Sequence, residues 1–480
     1  MQRTFAAITS VATFLLLHWQ PPLRAQEPVP LNVPNESLHA QANALFEAGR
    51  FSEALPLAEQ LVAARREQLG AEHVDVARSL HFLGLIHDRL EHGPEAERHY
   101  LEAVAMAERL LGPEHLLVAL SAQQLGDWYC RQRRAEAEQW LARALRIREQ
   151  QLGDSAEVAE TLESLARWHL QRETDGEGFP LAERAAQICF TSLQWPDDRT
   201  ARAFDTLGAL AKRLGKLEVA ISAREQTFWS YEALYGWSEV RTHRGGRFLA
   251  RHLMEAGELV RARALLDRIV HAPMPKGTAE ERGLAWSALG ECFAKQKEVE
   301  KAVEAHRQCV LLENQIAGGG DSRTIMHAKV EIANALFSLK RFSEAEPLYL
   351  DRLERFAKAG NALQVRFMHE WLGSFYAQWG DTEKAERYLL ESLALAERLP
   401  NQPHLAVGDA AFALAKFLKE RGEFVRAAPL FERSFDVHAT LLDEAKWDLF
   451  RLEEAAWFYE KTNNPRAMEL SVRLSQLWEK

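Results

Sequence analysis

Apolar positions between residues 74 and 111 follow a helical beat. Leu80, Leu83 and Ile86 surround Gly84, and Ala96, Tyr100, Ala103, Val104 and Ala107 come after a polar break; both sets keep the i, i+3, i+4, i+7 spacing of a helix with one apolar face. The pattern predicts two helices joined by a tight turn, and it recurs through nearly the whole chain after residue 38. No segment alternates as a strand does.

The recurrence has a register. A small residue follows a leucine or similar residue midway along each presumed first helix: Ala42, Gly84, Gly126, Ala166, Gly208, Ala250, Gly290, Ala333, Gly373, Ala415 and about Ala455, at intervals of 40 to 43 residues. That makes about eleven units. Twelve residues after the small residue an alanine opens most second helices, as at Ala54, Ala96, Ala220, Ala262, Ala302, Ala345, Ala385 and Ala427. In the third unit Ala137 comes one residue early; in the fourth Ala182 comes four late, and "RETDGEGFP" (172–180) predicts a lengthened turn there. Between the markers lie turns such as "EAGRFSEA" (47–54) and "ERGEFVRA" (420–427), with glycine to close one helix and a polar residue to start the next. Between units, "EQLGAEH" (67–73), "RLLGPEH" (109–115) and "QQLGDSA" (150–156) repeat a Leu-Gly step, which assigns His73 and His115 to a loop or helix start. A small residue at the marker lets helix axes approach, so placing leucine at Gly290 is expected to overpack the crossing at a cost of about 1–3 kcal/mol.

These residues resemble the tetratricopeptide repeat family: a small residue in helix one, an aromatic residue or leucine just after it, and alanine, a large residue and another small one in helix two. Ala96, Tyr100 and Ala103 match, as does Gly126 with Tyr129. The unit of about 42 residues is similar to the longer repeat of kinesin light chains rather than to the usual one of about 34. The resemblance implies an all-α superhelix, a solenoid of about eleven helical hairpins whose first helices line a concave groove for a protein or peptide. The asparagine pair that marks cargo-binding kinesin light chains is replaced by "HF" (81–82), "QQ" (123–124), "ES" (163–164), "DT" (205–206) and "SA" (287–288). Nor is there a clean copy of the lysine and asparagine set that clamps peptide carboxylates.

Composition narrows the partners. A net charge of −10 excludes a general nucleic-acid binder, which needs clustered cations. The start, "MQRTFAAITSVATFLLLHWQPPLRAQ", has Arg3, an apolar run from Phe5 to Leu17 and Ala25 before a polar residue. This is the pattern of a secretory signal over residues 1–25, followed by a proline-rich leader at 26–37; the alternative is a helix capping the array. The signal reading places the mature chain in the periplasm or outside the cell. The four cysteines form no CxxC pair, and only Cys292 and Cys309 are near enough in sequence to face each other across a hairpin, as a disulfide or as free thiols.

One first helix is unusually basic. In "SEVRTHRGGRFLARHLMEAG" (238–257), Arg244, Arg247 and Arg251 share a helical face that Arg241 extends, and the resemblance points their offsets from Ala250 into the groove. Arg202, Lys212 and Arg167 occupy related offsets in preceding units. Two readings stay open: a strip that docks a carboxylate or phosphate, or a solvated face paired with Glu160, Glu163 or Asp205. Trp128, Trp168, Trp286, Trp371 and Trp457 likewise read as a groove lining or as packing between repeats. The 17 histidines contain no metal-ligand spacing, "AGGGDS" (317–322) lacks the lysine of a phosphate loop, and no nucleophile has a positioned base. No cofactor is expected. The sequence thus points to a non-catalytic scaffold that binds a protein or peptide, acidic segments included, with a self-associating envelope protein or a groove enzyme or sensor as rivals. Units one to six are expected at 38–270 and units seven to eleven at 280–480, with joints at 271–279 and 318–320.

Overall fold

A computed structural model describes residues 36–193, 195–237, 239–273, 279–317, 322–399, 405–441, 449–462 and 467. The expected signal at 1–25, the leader as far as residue 35 and most of the two joints lie outside the described residues.

Among the described residues every regular element is a helix. In chain order the hairpins are 1 (Glu36–Glu47, Phe51–Leu69), 2 (Val74–Arg89, Gly93–Leu111), 3 (Leu116–Arg131, Glu136–Leu152), 4 (Ala156–Arg172, Asp175–Ser192) and 5 (Asp198–Arg213, Leu217–Tyr235). Then come 6 (Val240–Glu255, Leu259–His271), 7 (Ala279–Lys295, Val299–Ala317), 8 (Arg323–Ser338, Phe342–Lys358), 9 (Ala362–Trp379, Thr382–Arg398) and 10 (Leu405–Glu420, Phe424–Leu441), and Leu449–Lys461 opens an eleventh. The chain divides at Gln171/Arg172 into two compact units.

The turn inside each hairpin has one construction. Seven residues after the small marker the backbone enters the left-handed region, at Gly49, Glu91, Arg133, Glu173, Gly215, Gly257, Lys297, Lys340, Gly380 and Gly422. In nine of these turns the next residue's N–H donates to the carbonyl five residues back at 2.8–3.0 Å, as Arg50 does to Leu45 and His92 to His87. This satisfies carbonyls that the helix end would otherwise orphan. The recurring Leu-Gly step does the same job after second helices, where Gly70, Gly112 and Gly153 take positive φ, as does Gly236 after Tyr235. The first helix then starts on a cap: Nδ1 of His73 accepts from Asp75 N–H and Nδ1 of His115 from Leu117 N–H, both at 3.1 Å. The helix-start role expected of these histidines is therefore what they perform.

Hairpin 4 departs from its expectation. Its second helix begins at Asp175, nine residues after Ala166, as Gly93 follows Gly84; the turn is not lengthened. Buried Gly178 takes the marker place, and the additional residues form an additional helical turn before Ala182.

Packing is local. In the first unit the core runs from Ala42 to Ile147; in the second, one cluster links Phe228 to Ala305 and another Val303 to Tyr459. Within each unit the substantial helix contacts join neighbouring helices, as Gly93–Leu111 with Val74–Arg89 and with Leu116–Arg131, so neighbouring hairpins supply part of each other's interior. The marker alanines Ala54, Ala96, Ala220, Ala262 and Ala385 have no exposed surface. Cys292 and Cys309 are buried free thiols, and burial pushes the Cys309 thiol up to about 12.

Candidate functional site

The register sorts first-helix side chains into an exposed row and a seam. Six residues before the small marker the side chain is exposed or half-exposed throughout: Arg78, Leu120 and Glu160 in the first unit, then Arg202, Arg244, Leu284, His327, Phe367 and Asp409 in the second. Three residues before the marker the side chain is instead buried in six hairpins, in a seam between helices. His81, Gln123, Glu163, Arg247, Ser287 and Phe412 all sit there, each no more than 9% exposed. Seam groups bond across repeats: Ser121 Oγ lies 3.1 Å from Nδ1 of His81, and Gln123 Nε2 donates to Ser164 Oγ at 2.9 Å.

This sorting separates the basic residues. Arg244 and Arg251 are on the exposed face, whereas Arg247 is in the seam, its Nη2 3.0 Å from Oε2 of Glu281. The other oxygen of Glu281 accepts from Arg244 Nε at 2.8 Å, so one carboxylate, itself 9% exposed, holds two guanidinium groups. The bond to Glu281 is also the main cause that raises the Arg244 pKa above its usual value. Arg251 is 3.8 Å from Glu291, Arg241 is 2.9 Å from Asp198, and Arg202 is 3.4 Å from Asp198 one turn earlier. Lys212 pairs with Glu255. In the first unit Arg167 bonds Asp127 at 3.0 Å and Glu163 at 3.3 Å. Of the three acids expected as partners, Glu163 serves Arg167 and Asp205 serves Arg224 instead.

Many of these pairs span about one repeat. Arg241 and Asp198 are 43 residues apart, Arg251 and Glu291 40, and Arg244 and Glu281 37. From second helices Arg109 meets Glu72 of the connector at 2.7 Å, Arg268 meets Glu232 at 2.9 Å and Arg307 meets Glu344 at 3.2 Å. Acid facing base at the repeat's own stride is a sequence signal that a search for motifs within one helix does not find.

The exposed row carries apolar groups in hairpin 9. Leu363, Phe367 and Trp371, at i, i+4 and i+8, are 38%, 44% and 41% exposed. Trp371 is braced from behind by Phe337 at 5.8 Å and Tyr349 at 5.9 Å between ring centroids. The tryptophans accordingly divide: Trp128 and Trp168 are packing residues at 6% and 2% exposure, and Trp371 and Trp457 are surface residues. Several histidines are interior. Burial pushes His81, His99, His252 and His306 down to about 4. Among the described residues no group of three or more His, Cys, Asp or Glu could hold a metal ion, and no helix is long and apolar enough to cross a membrane.

Comparison with known proteins agrees on the repeat. A tetratricopeptide-repeat profile matches residues 35–108, 93–150 and 364–439. No curated protein sequence matches the chain. Among solved structures, the nearly identical repeats of a putative kinesin light chain from Podospora anserina are similar at 23% identity, with 42% of this chain and 95% of that one covered and a TM-score of 0.36. BtubC (BKLC) from P. vanneervenii is similar at 17% identity over 55% of this chain and 94% of its own, TM-score 0.37. The apo quorum sensor NprR from B. thuringiensis is similar at 13% over 76% and 99%, TM-score 0.47. With small-residue markers at a constant stride, a left-handed closure seven residues after each and three profile matches, the chain is a tetratricopeptide-repeat protein of the long, roughly 42-residue kind.

Proposed function

We propose that the protein is a non-catalytic scaffold that holds an extended segment of a partner along the exposed first-helix row of its second unit. The observation that carries this reading is the chemistry of that row. It starts basic at Arg202 and Arg244, passes Leu284 and His327 to apolar Phe367 with Trp371 beside it, and ends acidic at Asp409. A row with a direction selects a partner with a direction: a carboxylate at one end and apolar side chains in the middle. Consecutive first helices pack at about 10 Å, so Arg244 and Phe367, three repeats apart, are spanned by about nine extended residues.

The ion pairs do not remove Arg202 and Arg244 from play. Arg202 exchanges exposed Asp198 at little cost, since exposed pairs are worth about 1 kcal/mol or less, and Arg244, itself 56% exposed, can turn to a ligand because Arg247 still holds buried Glu281. Arg247 has no part in docking, because its guanidinium is buried in the seam and would lose the carboxylate that offsets its charge there.

Selection of linear peptides of about ten residues on the full chain tests this, the length following from the span above. Enriched peptides are expected to carry an acidic residue and one or two apolar residues. Arg244→Glu and the pair Phe367→Glu, Trp371→Ala should each weaken them by about tenfold or more. Val425→Glu, on a second helix and 90% exposed, should leave them unchanged. Peptides that bind all variants equally would refute the assignment of the row. The export reading of residues 1–25 is a proposal from sequence alone, and N-terminal sequencing of protein secreted by a suitable host decides it.

A further inference from the structure

Hairpin 8 contains a half-open cavity of about 290 Å³ between its helices Arg323–Ser338 and Phe342–Lys358. Its walls are apolar, from Met326, Val330, Leu348 and Phe356, and its polar residues are Arg323, His327, Lys329, Asp351, Arg352 and Arg355. The charges do not balance. Asp351 is the one carboxylate among the described residues that line it, and it already accepts from Lys329 Nζ and Arg355 Nε at 3.0 Å each. Arg323 and Arg352 have no carboxylate partner among the described residues, and Arg352 lies 5.5 Å from the ring centroid of Phe356. In a protein of net charge −10, four cations around one acid among the described lining residues are an exception.

We propose that this cavity is a binding site for a small amphiphilic carboxylate, its chain against Met326, Val330, Leu348 and Phe356 and its head between Arg323 and Arg352. Two donors in fork geometry suit a carboxylate, which accepts on both oxygens. The apolar wall excludes a bare inorganic anion, which would gain nothing there in exchange for its hydration. At roughly 30 Å³ per water-sized group the space holds about ten non-hydrogen atoms, the size of octanoate. The cavity shares His327 with the peptide row, but the groups proposed to hold the ligand lie outside that row, which could fail while this proposal stands.

Titration calorimetry on the full chain tests it with sodium octanoate, octan-1-ol, octylamine and acetate. Octanoate is expected to bind one to one, and the other three to bind at least tenfold more weakly. The double variant Arg323→Gln, Arg352→Gln should lose about tenfold or more in octanoate affinity, as expected for charge-assisted bonds, with unchanged thermal unfolding. Val330→Phe, which fills the wall, should abolish binding with both arginines in place. Octanol binding as tightly as octanoate would mean an apolar void only. That result, octanoate binding that survives the double variant, or no octanoate binding at all would overturn the proposal.

Discussion

Gly84 sits where its hairpin is tightest, and replacing it by alanine sets two effects against each other. An alanine Cβ there would lie 2.8 and 2.9 Å from Cδ1 and Cε1 of Tyr100 and 3.3 Å from Cγ. Carbon atoms in ordinary contact are about 3.5–4.0 Å apart, so the ring must move. Tyr100 has no exposed surface and no free direction in which to turn. Helix propensity favours alanine over glycine by about 1 kcal/mol, whereas overpacking a closed core costs about 1–3 kcal/mol. The contact wins, and Gly84→Ala is expected to destabilise hairpin 2 by about 1 kcal/mol. In a Tyr100→Ala background the obstruction is gone and only propensity remains. There the same change should stabilise by about 1 kcal/mol, a coupling of about 2 kcal/mol. A global melting temperature would blur this, because stacked repeats open locally. Hydrogen exchange of peptides from residues 74–111 in the full chain reads it directly, at about tenfold in rate per 1.4 kcal/mol. Slower exchange on Gly84→Ala in the otherwise unchanged chain would refute the close-contact argument.

Three further expectations follow from named interactions. Glu281→Gln strands buried Arg247 and should cost about 3–5 kcal/mol locally, whereas Glu255→Gln, which breaks the exposed pair with Lys212, should cost under about 1 kcal/mol; urea unfolding of the two variants separates them. His81 is pushed down to about 4 by burial, so the unfolded chain binds its proton first as pH falls; its contribution is complete above about pH 6.5 and lost toward pH 4, about 3 kcal/mol, and His81→Gln should flatten stability against pH in that window. Glu91 holds a φ of 60° that costs a non-glycine residue about 1–2 kcal/mol, and Glu91→Gly, at the cost of some chain entropy, should slow exchange in hairpin 2 by a net of roughly 0.5–1 kcal/mol.

The hairpins were legible because their markers answer to steric need. Only glycine lets Tyr100, Leu141 or Leu389 lie as close as they do across Gly84, Gly126 or Gly373, so a small marker recurs wherever the crossing does. Turn closure was half legible: five of the ten turns use glycine, and Glu91, Arg133, Glu173, Lys297 and Lys340 adopt the same backbone without announcing it. For the site, the helical pitch explains what sequence could and could not reveal. At about 100° per residue, the seven steps from Arg244 to Arg251 leave them about 20° apart, on one face. The three steps from Arg244 to Arg247 leave about 60°, enough to carry Arg247 from the surface into the seam. A shared stripe on a helix is therefore too coarse a criterion where the next helix packs close beside it. The apolar part of the row, Leu363 with Phe367 and Trp371, was equally readable by spacing, but spacing alone cannot say which apolar stripe is left uncovered.

The seam also bears on why the hairpins follow one another in a fixed order. Exposed ion pairs at the repeat stride are too weak to set it, at about 1 kcal/mol or less each. Buried guanidinium groups are different. Arg65 Nη1 donates to the Asp75 carbonyl at 3.2 Å and to Ser79 Oγ at 2.7 Å, and Arg148 Nη1 donates to the Glu157 carbonyl at 2.9 Å and to Thr161 Oγ1 at 2.7 Å. Both arginines lie eleven residues after the marker alanine, and both hydroxyls five residues before the next small marker. The repeat between them has Ala107 in place of arginine, and its hydroxyl, Ser121, is taken by His81 instead. Three consecutive seams thus use two incompatible solutions to one problem, the satisfaction of a buried hydroxyl. Behind Ala107, Thr161 would lose its charged donor; against a first helix without an acceptor at that place, Arg148 would be buried with a charge unmet, at a cost of several kcal/mol. Apolar stacking makes any two of these hairpins compatible, and the polar seam decides which two belong together.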